Sequence, residues 1–207
     1  MRGYFITFEG PDGAGKTTQI RLLNDYLRDK GWDTVLTREP GGTPLGEKIR
    51  SIILDVQNKD VNPITEMLLY AAARAQHVSQ IIKPALEQDK IVLCDRFVDS
   101  SIAYQGFGRG LGWDMVEGVN DYALQGIVPD MTLLFDIDPD KGLERSMARH
   151  RKMDRLEEEK LDFHKKVYQG FIYLSKKYPE RFHVIDANAE IEKIHKSVIC
   201  KIEQLLK

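Results

Sequence analysis

The sequence predicts an α/β protein: a five-stranded parallel sheet with helices on both faces. Two observations predict it. Short apolar, β-rich runs alternate with helical patterns along the chain, and a glycine-rich segment joins the first run to the first helix. The first run is Tyr4 to Glu9, followed by a helical pattern from about Lys16 to Lys30 with Ile20, Leu23, Tyr26 and Leu27 on one face. Further runs lie at Asp33 to Arg38, Ile91 to Asp95, Met131 to Asp136 and Phe182 to Asp186, each bounded by turn or charged residues. Helical patterns fill the intervals at about 43–57, 64–89, 114–126, 139–178 with a break, and 189–206. Pro84 lacks a backbone N–H and must kink or split the 64–89 pattern.

The composition bounds the function. A chain of 207 residues, 42% hydrophobic and 30% charged, buries one sizeable core and is short for two, so one domain spanning 1–207 is expected. A net charge of -2 argues against a general nucleic-acid binder. Cys94 and Cys200 are far apart without C-x-x-C spacing, which points away from a disulfide framework or zinc site and toward two reduced, buried, apolar fillers. The apolar run at the N-terminus breaks too soon for a signal peptide, and no stretch approaches the length of a membrane span. A soluble, cytoplasmic protein with neither membrane nor nucleic-acid partners is expected.

The strongest chemical signal is Gly10-Pro11-Asp12-Gly13-Ala14-Gly15-Lys16-Thr17, which fits G-x-x-x-x-G-K-[ST] between a predicted strand and a predicted helix. Such a loop turns backbone N–H groups toward phosphate oxygens, with the helix N-terminus adding partial positive charge, Lys16 a full one, and Thr17 a hydroxyl for Mg²⁺. A guanine-reading N-K-x-D element is absent, since Asn58-Lys59 continues into Asp60-Val61. Arg38 and Arg96 fall at the carboxyl ends of predicted strands, on the same rim as the loop, and with Arg50 and Arg74 they suit a second anion.

Phe8-Glu9-Gly10 leading into Asp12-Gly13-Ala14-Gly15-Lys16-Thr17-Thr18, then Arg38-Glu39-Pro40-Gly41-Gly42-Thr43, Asp95-Arg96-Phe97, Ala103-Tyr104-Gln105-Gly106 and Asp154-Arg155-Leu156-Glu157, resemble the thymidylate kinase family in order and spacing over nearly the whole chain. The resemblance implies a P-loop fold with a mobile lid at about 145–158, ATP and Mg²⁺ as the donor system, dTMP as acceptor, and a homodimer. It implies that Gly10 to Thr18 hold the donor phosphates. Asp12 would meet the 3′-hydroxyl of dTMP and, with Thr17 and Asp95, help hold the metal. Arg96 would grip the acceptor phosphate, with Arg38 and Arg50 nearby. Tyr70 and Arg74, one helical turn apart, would stack on and hydrogen-bond the base. Ser101, Glu39 and Gln105 would stand in the same pocket, and Tyr104 would lie against C2′ of the sugar. Competing structural readings are ion pairs for Arg38, Arg50 and Arg96, and core packing for Tyr70 and Tyr104.

Arg145, Arg149, Arg151, Lys152 and Arg155 put five fixed cations into eleven residues, opposed only by Asp154. Eukaryotic-type relatives carry an arginine where this loop has Gly13, so the resemblance is to the bacterial type. Arg149, Arg151 or Arg155 would then act on the transferring phosphoryl group, and Arg145 would pack on adenine. No general base is required, because a phosphate monoester with a second pKa of about 6 already offers an ionised oxygen. The histidines at 77, 150, 164, 183 and 195 show no metal-like spacing. Two alternatives are another nucleotide kinase, of uridylate or adenylate type, and a non-catalytic ATP-binding switch module.

Overall fold

A computed structural model describes residues 3–148 and 153–207. Five parallel strands, β1 (Tyr4–Glu9), β2 (Thr34–Arg38), β3 (Ile91–Asp95), β4 (Met131–Asp136) and β5 (Phe182–Asp186), form one sheet in the order β2-β3-β1-β4-β5. Their side chains alternate between two cores, as the pleat requires. Ile6, Phe8, Ile91, Leu93, Leu133 and Phe135 face one side, where Ile20, Leu23 and Leu27 of α1 (Lys16–Asp29) and Ile194, Val198 and Ile202 of α9 (Ile191–Leu205) cover them. Phe5, Val92, Cys94 and Leu134 face the other, beneath Met67, Phe97, Ile102, Phe171 and Leu174. Burial on both faces explains why the strands read as continuous apolar runs.

Helix starts follow local chemistry. Proline stands at the first position of α2 (Pro44–Leu54), α3 (Pro63–His77) and α7 (Pro139–Met147), and the preceding Thr43, Asn62 and Asp138 accept backbone N–H bonds with their side chains. The predicted 64–89 helix is broken as Pro84 requires. After α3 comes a π-helical turn, Val78–Ile82, and then α4 (Lys83–Glu87), the wider turn preceding the proline that cannot donate. The predicted 43–57 helix stops at Leu54, where Asp55 turns extended. The 139–178 pattern splits into α7 and α8 (Leu161–Lys177), and α6 is Trp113–Leu124.

Two expectations need correcting. The interval 98–108 lies outside the predicted helical patterns, yet α5 (Val98–Ser101) runs directly into a π-helical turn, Ile102–Gly108. Cys94 is buried, but Cys200 is exposed. It lies on α9 away from the Ile194, Val198 and Ile202 stripe that meets the sheet. Among the described residues no helix is long and apolar enough to cross a membrane.

Candidate active site

The carboxyl ends of β1, β2 and β3 lie side by side, pairing Phe8 with Asp95 and Arg38 with Asp95, so the residues that follow them share one rim. From β1 the chain turns through Gly10 to Gly15 into α1, with Gly13 at φ 76° and Gly15 at φ 88°, conformations open to glycine. Gly13 is also constrained from outside. A Cβ there would stand 2.0 Å from the carbonyl oxygen of Gly142 on α7, so no side chain fits at this point of the loop. Lys16 is buried and its Nζ donates to the carbonyls of Gly10 (2.9 Å) and Pro11 (2.7 Å). Burial, and then repulsion from Arg96, lowers its ammonium to about 8. Asp12, Gly13, Ala14, Gly15, Lys16 and Thr17 line one cavity together with Asp95 and Arg96, while Thr18 is exposed on the first turn of α1.

Thr17 Oγ1 donates to Asp95 Oδ2 at 2.9 Å. A hydroxyl and a carboxylate side by side beside a phosphate loop are the hard oxygen donors that Mg²⁺ takes, with phosphate and water completing its shell. Asp12 is differently engaged. Its Oδ1 accepts from Arg96 Nη2 (2.6 Å) and its Oδ2 from the Tyr104 hydroxyl (2.9 Å). Burial alone would raise the Asp12 carboxyl, but Arg96 and Lys16 outweigh it and hold the group far below the usual carboxylate range. Among the described residues no group of three or more His, Cys, Asp and Glu is placed to hold a metal.

A second, larger cleft, partly open to solvent, adjoins the first and shares Asp12, Asp95 and Arg96 with it. Arg38, Arg50 and Arg96 converge there. Arg96 donates to Gly10 O (3.1 Å), Ser100 Oγ (3.1 Å) and Asp12. Arg50 donates to Pro40 O (2.8 Å), and its charged form is disfavoured by burial and then by Arg38. Arg38 Nη2 donates to both carboxylate oxygens of Glu47 at 2.9 Å in an exposed pair. Three guanidinium groups on one wall, two of them repelling, suit a polyvalent anion.

Deeper in the cleft stand Tyr70, Arg74, Ser101, Tyr104 and Gln105. Arg74 is fully buried, held by Glu39 Oε2 (2.8 Å), Phe97 O (3.1 Å), Ser101 Oγ (3.0 Å) and Asn120 Oδ1. These bonds engage four of its five N–H groups, so its edge presents a directed donor. Glu39 borders the cleft itself and also backs Arg74, its other oxygen bonding His77 Nδ1 at 2.9 Å. Gln105 Nε2 donates to buried Glu66 at 2.9 Å, which turns Gln105 Oε1, buried and without a protein partner, away from that carboxylate. Burial, and then Glu66, raises the Tyr70 hydroxyl. The Tyr104 ring packs on Phe163 and Phe171 and also borders the cleft, where Arg96 lies 5.1 Å from its centroid.

The described residues of the 145–158 segment serve different places in the fold. Arg155 is buried away from both cavities, donating to Ile53 O (2.9 Å) and Glu66 Oε2 (2.7 Å). Glu66 also bonds Arg109, and Arg155 thereby pins the segment to α3. Asp154, Leu156 and Glu157 line the larger cleft. Arg145 is exposed and donates to Ala187 O at 2.9 Å. Arg149 and Arg151 lie outside the described residues. The sequence did not single out Ser100, Asn120 or Glu66. Only the four-residue spacing from Arg96 to Ser100 hints at the first.

Buried Glu9 accepts from Phe97 N at 2.7 Å and from Ser100 Oγ at 2.5 Å. Burial, and then the nearby Asp99, pushes its carboxyl from 4.5 up to about 8. The folded protein therefore holds this proton more tightly than the unfolded chain. The stabilisation is complete below the unfolded value and is lost as pH rises from about 4.5 through about 8. Glu9→Gln abolishes this loss, so its melting temperature relative to the parent should rise between pH 5 and 8.5. Thermal unfolding at stepped pH checks this, and a pH-independent difference would contradict it.

Comparison with known proteins agrees with this geometry. A family model described as Thymidylate kinase matches residues 8–198. A protein of Thermoanaerobacter sp. (strain X514) named Thymidylate kinase is 52% identical over 206 residues, covering 100% of both chains. Another of that name, from Caldanaerobacter subterraneus subsp. tengcongensis, is 50% identical over 207 residues, covering 100% of this chain and 98% of its own. The crystal structure of thymidylate kinase from Ehrlichia chaffeensis superposes with a TM-score of 0.79 at 38% identity, covering 98% of this chain and 99% of the other.

Proposed function

The chain belongs to the thymidylate kinase family, and from that premise we propose how its two joined cavities divide the work of phosphoryl transfer. The reaction moves the γ-phosphoryl of ATP onto dTMP, giving dTDP and ADP. The observation that carries the division is the shared wall: Asp12, Asp95 and Arg96 border both cavities, so two phosphate groups bound on either side would meet there.

The Gly10–Thr18 loop and Lys16 bind the ATP phosphates. Thr17 and Asp95 would hold Mg²⁺, with Asp12 assisting; bound there, the ion would neutralise charge on the donor phosphates. Arg96 and Arg50 orient the dTMP phosphate, with Arg38 at the mouth. Their donors face the oxygens on which charge rests, which lowers the cost of bringing two anions into line. Tyr70 stacks on the base, Arg74 donates to its edge, Ser101 and Gln105 border it, and Asp12 accepts the sugar hydroxyl. Glu39 borders the same pocket and holds Arg74. Arg149 or Arg151 comes from the lid to the transferred group, and Arg145 packs at the adenine end, whereas Arg155 anchors the lid through Glu66. We read 1–207 as a single domain carrying this lid, in a cytoplasmic enzyme. The direct test is product analysis: with ATP and Mg²⁺, dTMP should yield dTDP and ADP one for one. No dTDP would sink the reading.

A homodimer fits an apolar face on two packed helices, where Leu45 and Ile52 of α2 and Ile64 and Leu68 of α3 are 49%, 48%, 48% and 51% exposed. Leu68→Glu should convert the protein to monomer in sedimentation equilibrium. A dimer persisting through that change would move the interface elsewhere.

Tyr104 is the sugar selector. A planar ring against C2′ tolerates hydrogen, but a hydroxyl buried there unpaired costs about 1 to 3 kcal/mol. That corresponds to about one to two decades in kcat/KM. Tyr104→Ala should therefore lower the dUMP over UMP ratio of kcat/KM by at least about fivefold. An unchanged ratio in a folded variant would leave Tyr104 only its packing on Phe163 and Phe171.

A further inference from the structure

Arg96 stands at φ 70°, a left-handed conformation that a non-glycine residue holds only when its surroundings impose it. The residues before it belong to β3, and its own N–H bonds Phe8 O at 3.0 Å. What fixes the far side of the turn is the next amide: Phe97 N–H points at Glu9 Oε1, 2.7 Å away. The other oxygen of the same carboxyl takes Ser100 Oγ at 2.5 Å, and Ser100 Oγ in turn accepts from Arg96 Nη1 at 3.1 Å. One side chain thus grips Arg96 twice, once through the backbone that follows it and once through a hydroxyl on its guanidinium. Glu9 itself is fully buried at the end of β1, so it cannot reach the cleft, and its position is fixed by the strand.

We propose that Glu9 is a positioning residue that sets Arg96 for the acceptor phosphate, acting through Phe97 N–H and the Ser100 hydroxyl. The proposal rests on the reading of Arg96 as an acceptor-phosphate group. The reach of the side chain matters here rather than its charge, since an acid or an amide of the same length spans both partners. Aspartate is shorter by one carbon–carbon bond, about 1.5 Å, and cannot.

The test is steady-state kinetics at pH 7 on folded variants, with dTMP and Mg²⁺-ATP varied in turn. Ser100→Ala and Glu9→Asp should each raise the dTMP KM by at least about fivefold while the ATP KM stays within about twofold, a split that general loosening would not produce. Glu9→Gln, which keeps the reach, should hold the dTMP KM within about twofold of the parent. The double variant Glu9→Asp/Ser100→Ala should be no worse than Glu9→Asp alone, because the Ser100 bond is one of the two that Glu9→Asp already breaks. Ser100 itself borders the cleft, so should Glu9→Asp fail to fold, Glu9→Asn, equally short and uncharged, takes its place under the same criteria. An unchanged dTMP KM in Ser100→Ala, or equal rises for both substrates, would overturn the proposal. A parent enzyme without dTMP-dependent turnover would instead remove the underlying reading of Arg96, and the proposal with it.

Discussion

Arg96→Ala should lower kcat/KM for dTMP by about a hundred- to a thousandfold, the loss that follows removal of one preorganised donor at a reacting group. Three consequences converge at this side chain. The cleft keeps Arg38 and Arg50, but Arg38 is half exposed on Glu47 and Arg50 is tied to Pro40 O, so neither replaces a fork held at the shared wall. Asp12 loses its 2.6 Å partner, and with it the main attraction that keeps its buried carboxylate ionised. The ring of Tyr104 loses the guanidinium packed 5.1 Å from its centre. Lys16→Ala should depress turnover comparably for a different reason, because its ammonium serves the donor loop through Gly10 O and Pro11 O. Calorimetric titration separates the two: Arg96→Ala should lose dTMP and retain ATP, and Lys16→Ala the reverse. Intact dTMP affinity and turnover in Arg96→Ala would bring down the acceptor-site assignment.

The lid should divide by mechanism rather than by charge. Of Arg149→Ala and Arg151→Ala, at least one should reduce kcat about tenfold or more, a conservative share of what an arginine on a transferring phosphoryl group supplies. Arg155→Ala should instead register as lost stability. Its side chain is 7% exposed and makes a 2.7 Å bond to Glu66, so truncation leaves that buried carboxylate with fewer partners. Stopped-flow turnover beside thermal unfolding would show the two effects on different axes. If neither Arg149→Ala nor Arg151→Ala changed kcat, the segment would be a charged tether without a chemical part.

The strands were legible because burial on both faces makes them short, wholly apolar runs with sharp ends; four of the five begin and end where the sequence places them, and β2 begins one residue later. The phosphate loop was legible for a similar reason, since its conformation is written locally in glycines. The 98–108 helix was not. It holds Gly106 and Gly108, is only a few turns long, and is stabilised by packing against α8 rather than by its own pattern. Arg155 shows the matching limit at the site. Its place among lid cations says nothing of Glu66, which comes from α3 and is 89 residues away in the chain. Ser100 and Asn120 were silent because each matters through an arginine it touches, Arg96 or Arg74, and not through a motif of its own. Cys200 misled because residue type was read without its side of α9.

The central claim is that the cleft beyond the shared wall of Asp12, Asp95 and Arg96 receives dTMP. It is tested most directly by measuring kcat/KM with Mg²⁺-ATP for dTMP, dUMP, UMP, CMP, AMP and GMP under one set of conditions. The account predicts dTMP first and dUMP next. UMP should follow about tenfold or more lower, because of Tyr104, and CMP, AMP and GMP should give little turnover against the directed donor of Arg74. Equal or greater turnover with UMP, CMP or AMP would contradict it.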